Sequence, residues 1–231
     1  MTQDIIYNGI KASSLGLLIN GEVSIPAPLK NYEEYTIPGR DGTIIEEDGT
    51  FENIEIYLEF NYSEYGKWGK KFRDAKKWLF AAGDKILRFS RQNEYFYKVK
   101  RVEIETDERE IEHAGNFEVL FICDPYTYLD SGLIPVSSNV LENEYELSHP
   151  EYIILGEGVC TLSVNGKSMT ANVGQNIRID TDKMIAYRTD GTLSNTSVSG
   201  DYEELYLQKG TNTINISEGF TLEIIPNWRC L

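Results

Sequence analysis

Turn signals, strand periodicity and a single helical stripe predict a mainly β chain of two domains. The first is an α+β domain with one helix on a β-sheet or sandwich, and the second an all-β sandwich. The turn signals are Asn8-Gly9, Asn20-Gly21, Asp41-Gly42, Asp48-Gly49, Asn165-Gly166 and Asp190-Gly191, pairs that tolerate the positive φ of tight hairpins. Between them apolar residues recur at every second position, as a half-buried strand requires. One stretch instead repeats at three and four residues, the helical period.

Each element follows from its local pattern. In Ile54 to Phe60 every even position is apolar, which turns one face to a core and the other to water. Trp68, Phe72, Ala75, Leu79 and Ala82 form the helical stripe, predicting a helix from about Tyr65 to Ala82 that ends near Gly83 and docks on a sheet. Tyr95, Tyr97 and Val99 share one parity and Val102 and Ile104 the other, which predicts a bulge near Lys100. Phe117 to Cys123 is apolar on nearly both faces and reads as a central strand. Residues 130–150 contain Gly, Pro, Ser and several acids but no Lys or Arg. That shift marks the domain division, with 1–132 before it and 133–231 after. Beyond it, short strands are expected at Tyr152–Leu155, Val159–Val164, Asn176–Thr181, Leu205–Gln208, Thr211–Ser217 and Phe220–Ile225, at sandwich-like spacing.

Composition narrows the function classes. With 231 residues, 41% hydrophobic and 26% charged, the chain is long enough for one large domain or two small ones and is expected to fold. Its formal charge of −15 is opposite to what phosphate-backbone binding favours, so no specific nucleic-acid partner is expected. No run reaches the roughly 18 apolar residues of a membrane span. Met1-Thr2-Gln3-Asp4 lacks the basic and apolar regions of a signal peptide, so synthesis in the cytoplasm is expected.

The chemistry-bearing residues are sparse. Neither His113 nor His149 stands in a metal-ligand spacing, and no Gly-x-Ser-x-Gly elbow occurs. Gly156-Glu157-Gly158 lacks a following helix to bind phosphate and reads as a turn. Asp180 with Asp182 lacks the twelve-residue calcium-loop pattern and reads as solvated loop carboxylates. Cys123, Cys160 and Cys230 are scattered and odd in number, which argues against a disulfide framework, and Cys123 reads as a small core residue. No enzyme, metal or cofactor is expected.

The order of short motifs resembles the distal tail protein family of long-tailed, siphovirus-type bacteriophages. In the first half these are Ile6-Tyr7-Asn8-Gly9-Ile10, the element Pro38-Gly39-Arg40-Asp41-Gly42, the pair Trp78-Leu79, the turn Gly83-Asp84 and the stretch Cys123 to Tyr126. In the second half they are His149-Pro150, Gly156-Glu157-Gly158, Val164-Asn165-Gly166, Ile179-Asp180, Lys209-Gly210-Thr211-Asn212 and Pro226-Asn227-Trp228-Arg229. The resemblance implies a structural virion protein at the phage tail tip, a homo-hexameric hub in the baseplate. It would join the major tail-tube protein to the tail-associated lysin or tail fibre and serve host attachment by holding receptor-binding proteins. It also implies a galectin-like C-terminal domain, in the short form without an inserted carbohydrate-binding module.

A ring needs two different patches that meet, and the charge is segregated accordingly. Residues 67–101 hold 12 basic and 3 acidic side chains, whereas 41–64 hold eight acidic and no basic ones. Lys67, Lys70, Lys71, Arg73, Lys76 and Lys77 are therefore the expected subunit-interface residues, set against the plainer reading that they solvate a helix face. The rival function is a carbohydrate-binding β-sandwich that touches host cell-wall polysaccharide through some of the 15 tyrosines.

Overall fold

The computed structural model describes residues 3–63, 69–111 and 114–231. The fold is mainly β, and the chain divides into two compact units, Met1–Thr127 with Leu231, and Tyr128–Cys230. The division falls a few residues ahead of the one expected from composition.

The first unit contains β1 (Ile5–Tyr7), β2 (Ile10–Lys11), β3 (Leu17–Asn20), β4 (Lys30–Thr36), β5 (Thr43–Phe51), β6 (Ile54–Ser63), α1 (Lys70–Leu79), β7 (Ile86–Phe89), β8 (Tyr95–Ile111) and β9 (Ala114–Cys123). Seven strands pair antiparallel in the order β2-β1-β7-β8-β9-β6-β3. β8 changes partner along its length. Tyr97 and Lys98 pair with β7, and from Val99 onward the strand pairs with β9 across a register shift between Val99 and Arg101. This is the bulge that the parity change announces, and it lets one strand serve two sheet faces. β9 is central, pairing on its other side with all of β6 from Ile54 to Ser63. Ile54, Ile56, Leu58, Phe60 and Tyr62 of β6 are buried, as their alternation requires.

The helix differs in detail from its prediction. Tyr65, Lys67 and Trp68 lie outside the described residues. α1 begins after Gly69, which takes a left-handed conformation, and ends at Leu79, so Ala82 is exposed and is no part of the buried stripe. Trp78 takes that place. It is buried with Ala75 and Leu79, while Phe72 is only half-buried. The indole Nε1 donates to the Tyr7 carbonyl at 2.9 Å, and the ring meets Tyr7 and Phe60 edge-on at 6.0 and 6.3 Å. Phe117 links the helix to the sheet, 5.2 Å from Phe72 and 5.4 Å from Phe60.

The second unit begins within β10 (Thr127–Leu129), at Tyr128, and contains β11 (Val140–Asn143), β12 (Glu151–Val164), β13 (Lys167–Asp180), β14 (Ile185–Tyr187), β15 (Val198–Ser199), β16 (Gly210–Ile216), β17 (Thr221–Ile225) and β18 (Arg229–Cys230). β12 and β13 form a fourteen-residue hairpin through Asn165-Gly166. On its other edge β12 pairs first with β17 and then with β16. Tyr152, Ile154, Leu162, Ile177, Ile179 and Ile214 are fully buried at its core.

Three expectations are corrected here. Gly156-Glu157-Gly158 is not a turn, because the β12–β13 register runs through it unbroken. Its first glycine admits a neighbour: Gly156 has φ 152°, and a Cβ there would approach the Phe220 ring to 2.4 Å. Residues 205–208 form no strand. Tyr202–Leu205 is a 3₁₀ turn, followed by one bridge between Leu207 and Ser148. Residues 130–150 are woven into this unit rather than set apart: the Gly132 carbonyl accepts from the Asn227 amide at 2.8 Å, and Val136 exchanges two such bonds with Ile224.

Candidate functional site

The hairpin β4–β5 of the first unit forms a two-stranded sheet of its own. Residues 32–50 are exposed without interruption. The element Pro38-Gly39-Arg40-Asp41-Gly42 is its tip. The Arg40 amide donates to the Ile37 carbonyl at 3.1 Å and Gly39 has φ 84°, the type II turn that Pro followed by Gly favours. Its base is closed by the Glu52 amide on the Leu29 carbonyl. Register assigns the faces: Glu33 opposes Glu46 and Tyr35 opposes Ile44 on one, while Tyr32 opposes Glu47 and Glu34 opposes Ile45 on the other. Each face thus carries apolar and acidic side chains in water. Residues 30–52 hold seven acids and two bases.

The predicted basic residues are not one uniform patch. Lys67 lies outside the described residues. Lys70 pairs with Asp74 and holds its carboxyl below the ordinary value. Lys71 is half-buried, and a Cβ on Gly16 would collide with its ammonium. The Lys76 ammonium lies 4.5 Å from the centre of the Phe72 ring. Arg73 and Lys77 are exposed. The basic segment continues past the helix, where Lys85, Lys100 and Arg101 rim a groove of about 230 Å³ with Leu79, Phe80 and Val99 among its apolar lining. Phe80, just past the end of α1, is 60% exposed. Lys100 pairs with Asp124 and Arg101 with Glu103, both at 2.7 Å. The helical period could not reveal this groove, because its cations come from β8 and the turn before β7.

In the second unit Trp228 and Arg229 bind the end of the chain to its own framework. Arg229 is buried, and its Nε donates to the Leu147 carbonyl at 2.6 Å. Its guanidinium also lies 3.2 Å from His149 Nε2, while Asp182 meets His149 Nδ1 at 3.1 Å. This contact fits a neutral imidazole that accepts from arginine and donates to aspartate. Trp228 offers its carbonyl to the Leu129 amide at 3.0 Å. Asp180 is buried rather than solvated, accepting from the Lys183 amide and ammonium at 2.9 and 2.7 Å. Among the described residues no three His, Cys, Asp or Glu side chains gather as metal ligands. Burial pushes the Cys123 thiol up to about 12, the state of a packed rather than a reactive cysteine.

No family model and no curated protein sequence matches the chain. Among solved structures, it is similar to the crystal structure of the SPP1 Dit (gp 19.1) protein, described as a paradigm of the hub adsorption apparatus in phages that infect Gram-positive bacteria. The two share 15% identity and superpose with a TM-score of 0.69, with 100% of each chain covered. From end to end, this chain has a fold found in a phage hub protein.

Proposed function

We propose that the chain is a non-catalytic virion protein, the hub of a bacteriophage tail tip. The observation that carries this reading is the likeness to a hub protein over the full length of both chains. The order of sequence motifs, from Pro38-Gly39-Arg40-Asp41-Gly42 to Trp228-Arg229, supports it independently. In this reading the first unit forms a homo-hexameric ring and the second is a galectin-like domain. The ring joins the tail tube to the lysin or fibre below and holds receptor-binding proteins. Six chains at −15 each repel one another, so closure requires contacts that pair unlike patches. The segregation of charge between the β4–β5 hairpin, an exposed arm of residues 30–52, and residues 67–101 supplies them. Native mass spectrometry of the purified chain tests the reading: six times the 26.4 kDa of one chain is expected, and a monomer at all concentrations and salts overturns it.

A further inference from the structure

An isolated two-stranded hairpin is marginal in water, and this one carries an added burden. Glu33 and Glu46 are directly opposed on one face, a like-charge cross-strand pair that weakens the hairpin; the Tyr35 hydroxyl donates to the Glu33 carboxylate, and Glu46 has no cation opposite it in the register. Next along the same face lie Tyr35 and Ile44, both exposed. The face is thus a row of two carboxylates beside the Tyr35 ring and the Ile44 side chain. The groove at the end of α1 has the complementary composition, an apolar lining that includes the exposed Phe80 ring and Val99 together with Lys85, Lys100 and Arg101. Its volume is below the roughly 300–1,000 Å³ of small-molecule sites, and it suits a side chain or two. The ion pairs that Lys100 and Arg101 make are solvent-exposed on the cation side, and such pairs hold their partners weakly.

We infer that the arm of one copy docks in the groove of the next, Tyr35 and Ile44 on its apolar lining and Glu33 and Glu46 against Lys85, Lys100 and Arg101. The occupant is a second copy because the charges are complementary within one sequence and arm and groove belong to the same unit. The seven residues of β4 extend about 23 Å, enough to reach across to a neighbour. Because the two patches differ, the contact is heterologous, and each copy both gives an arm and receives one. This inference rests on the ring assembly proposed above and names its contact.

The test uses two variants of the full chain, an arm variant with Tyr35→Ser and Ile44→Ser and a groove variant with Lys100→Glu and Arg101→Glu. Unchanged melting of the dilute variants verifies that each folds. Each alone is expected to raise the concentration needed for assembly by about tenfold or more. Mixed together they retain one intact contact, the groove variant's arm in the arm variant's groove, so native mass should show one-to-one pairs and nothing larger. Adding Glu33→Lys and Glu46→Lys to the groove variant exchanges the charges and should restore wild-type mass. If the wild type assembles and either double variant alone gives the same mass at the same concentration, the docking is wrong and the ring stands. Variants that remain monomers when mixed also overturn it. A wild type that never assembles removes both.

Discussion

β5 and β6 are separated by two residues, and both are rich in Ile, Glu and aromatic side chains. In β6 every even position from Ile54 to Tyr62 is apolar and buried, while Tyr57 on the other face is exposed. In β5 Ile44 and Ile45 are adjacent, so one falls on each face, and both are exposed. Adjacent apolar residues cannot share one core on a strand of period two. The order of the residues, not their number, makes β6 a wall of the first unit and β5 half of an arm. Apolar area contributes to stability only where it leaves water, about 25 cal/mol per Å². The side chains of β6 therefore stabilise the monomer, and those of the arm have a contribution to make only in contact with something else.

Trp78→Ala is the sharpest probe of the internal side of this comparison. It removes a buried ring that touches Tyr7 and Phe60 and the donor to the Tyr7 carbonyl. A loss of about 3–5 kcal/mol is expected, read as a lower midpoint in chemical denaturation. A change under about 1 kcal/mol would mean that the helix does not complete this core.

Gly156→Ala applies the same logic to the second unit. The φ of 152° and the 2.4 Å approach to Phe220 leave no room for a methyl group, so about 1–3 kcal/mol should be lost. Adding Phe220→Ala opens the space. The double variant should then lose less than the sum of the two single ones, and strict additivity would refute the collision.

These positions also show what was legible in the sequence. β6, the central β9 and the bulge in β8 were readable because each obeys period two, or breaks it once, over enough residues to fix which face is buried. Gly156-Glu157-Gly158 was misread because glycine signals a turn and a close approach alike, and only the distant Phe220 decides between them. Trp78 was passed over in the buried stripe because a stripe drawn from Trp68 has room for Ala82 instead. The arm was invisible as an element, although its tip was conspicuous: Ile44-Ile45-Glu46-Glu47 has neither period. The groove joins residues from α1, the following turn and β8, so no local pattern contains it. What the linear sequence did carry was the charge segregation, since counting needs no fold.

Phe72→Ala gives a smaller effect than Trp78→Ala on the same helix. The ring packs 5.2 Å from Phe117 but is only half-buried, with the Lys76 ammonium over one face. About 1–2 kcal/mol is expected from the area involved, and a loss as large as that of Trp78→Ala would show that the helix depends on its N-terminal end.

The smallest effect is expected where the comparison is most exposed to failure. Tyr35→Ser with Ile44→Ser removes two large apolar side chains from the arm, yet both are exposed in the monomer. Measured in dilute solution, where no copies associate, the midpoint should move by less than about 0.5 kcal/mol, the usual range for surface substitutions. Phe60→Ala, which removes one buried ring from β6, should cost about 3–5 kcal/mol under the same conditions. Concentration then separates the two kinds of side chain. Association stabilises the folded state by mass action, so the wild type should melt higher as it is concentrated and the arm variant should not. The deficit of Phe60→Ala against the wild type should already be present in dilute solution. A dilute arm variant that loses more than about 1 kcal/mol would show that Tyr35 and Ile44 stabilise their own chain, and the distinction between arm and wall would fall.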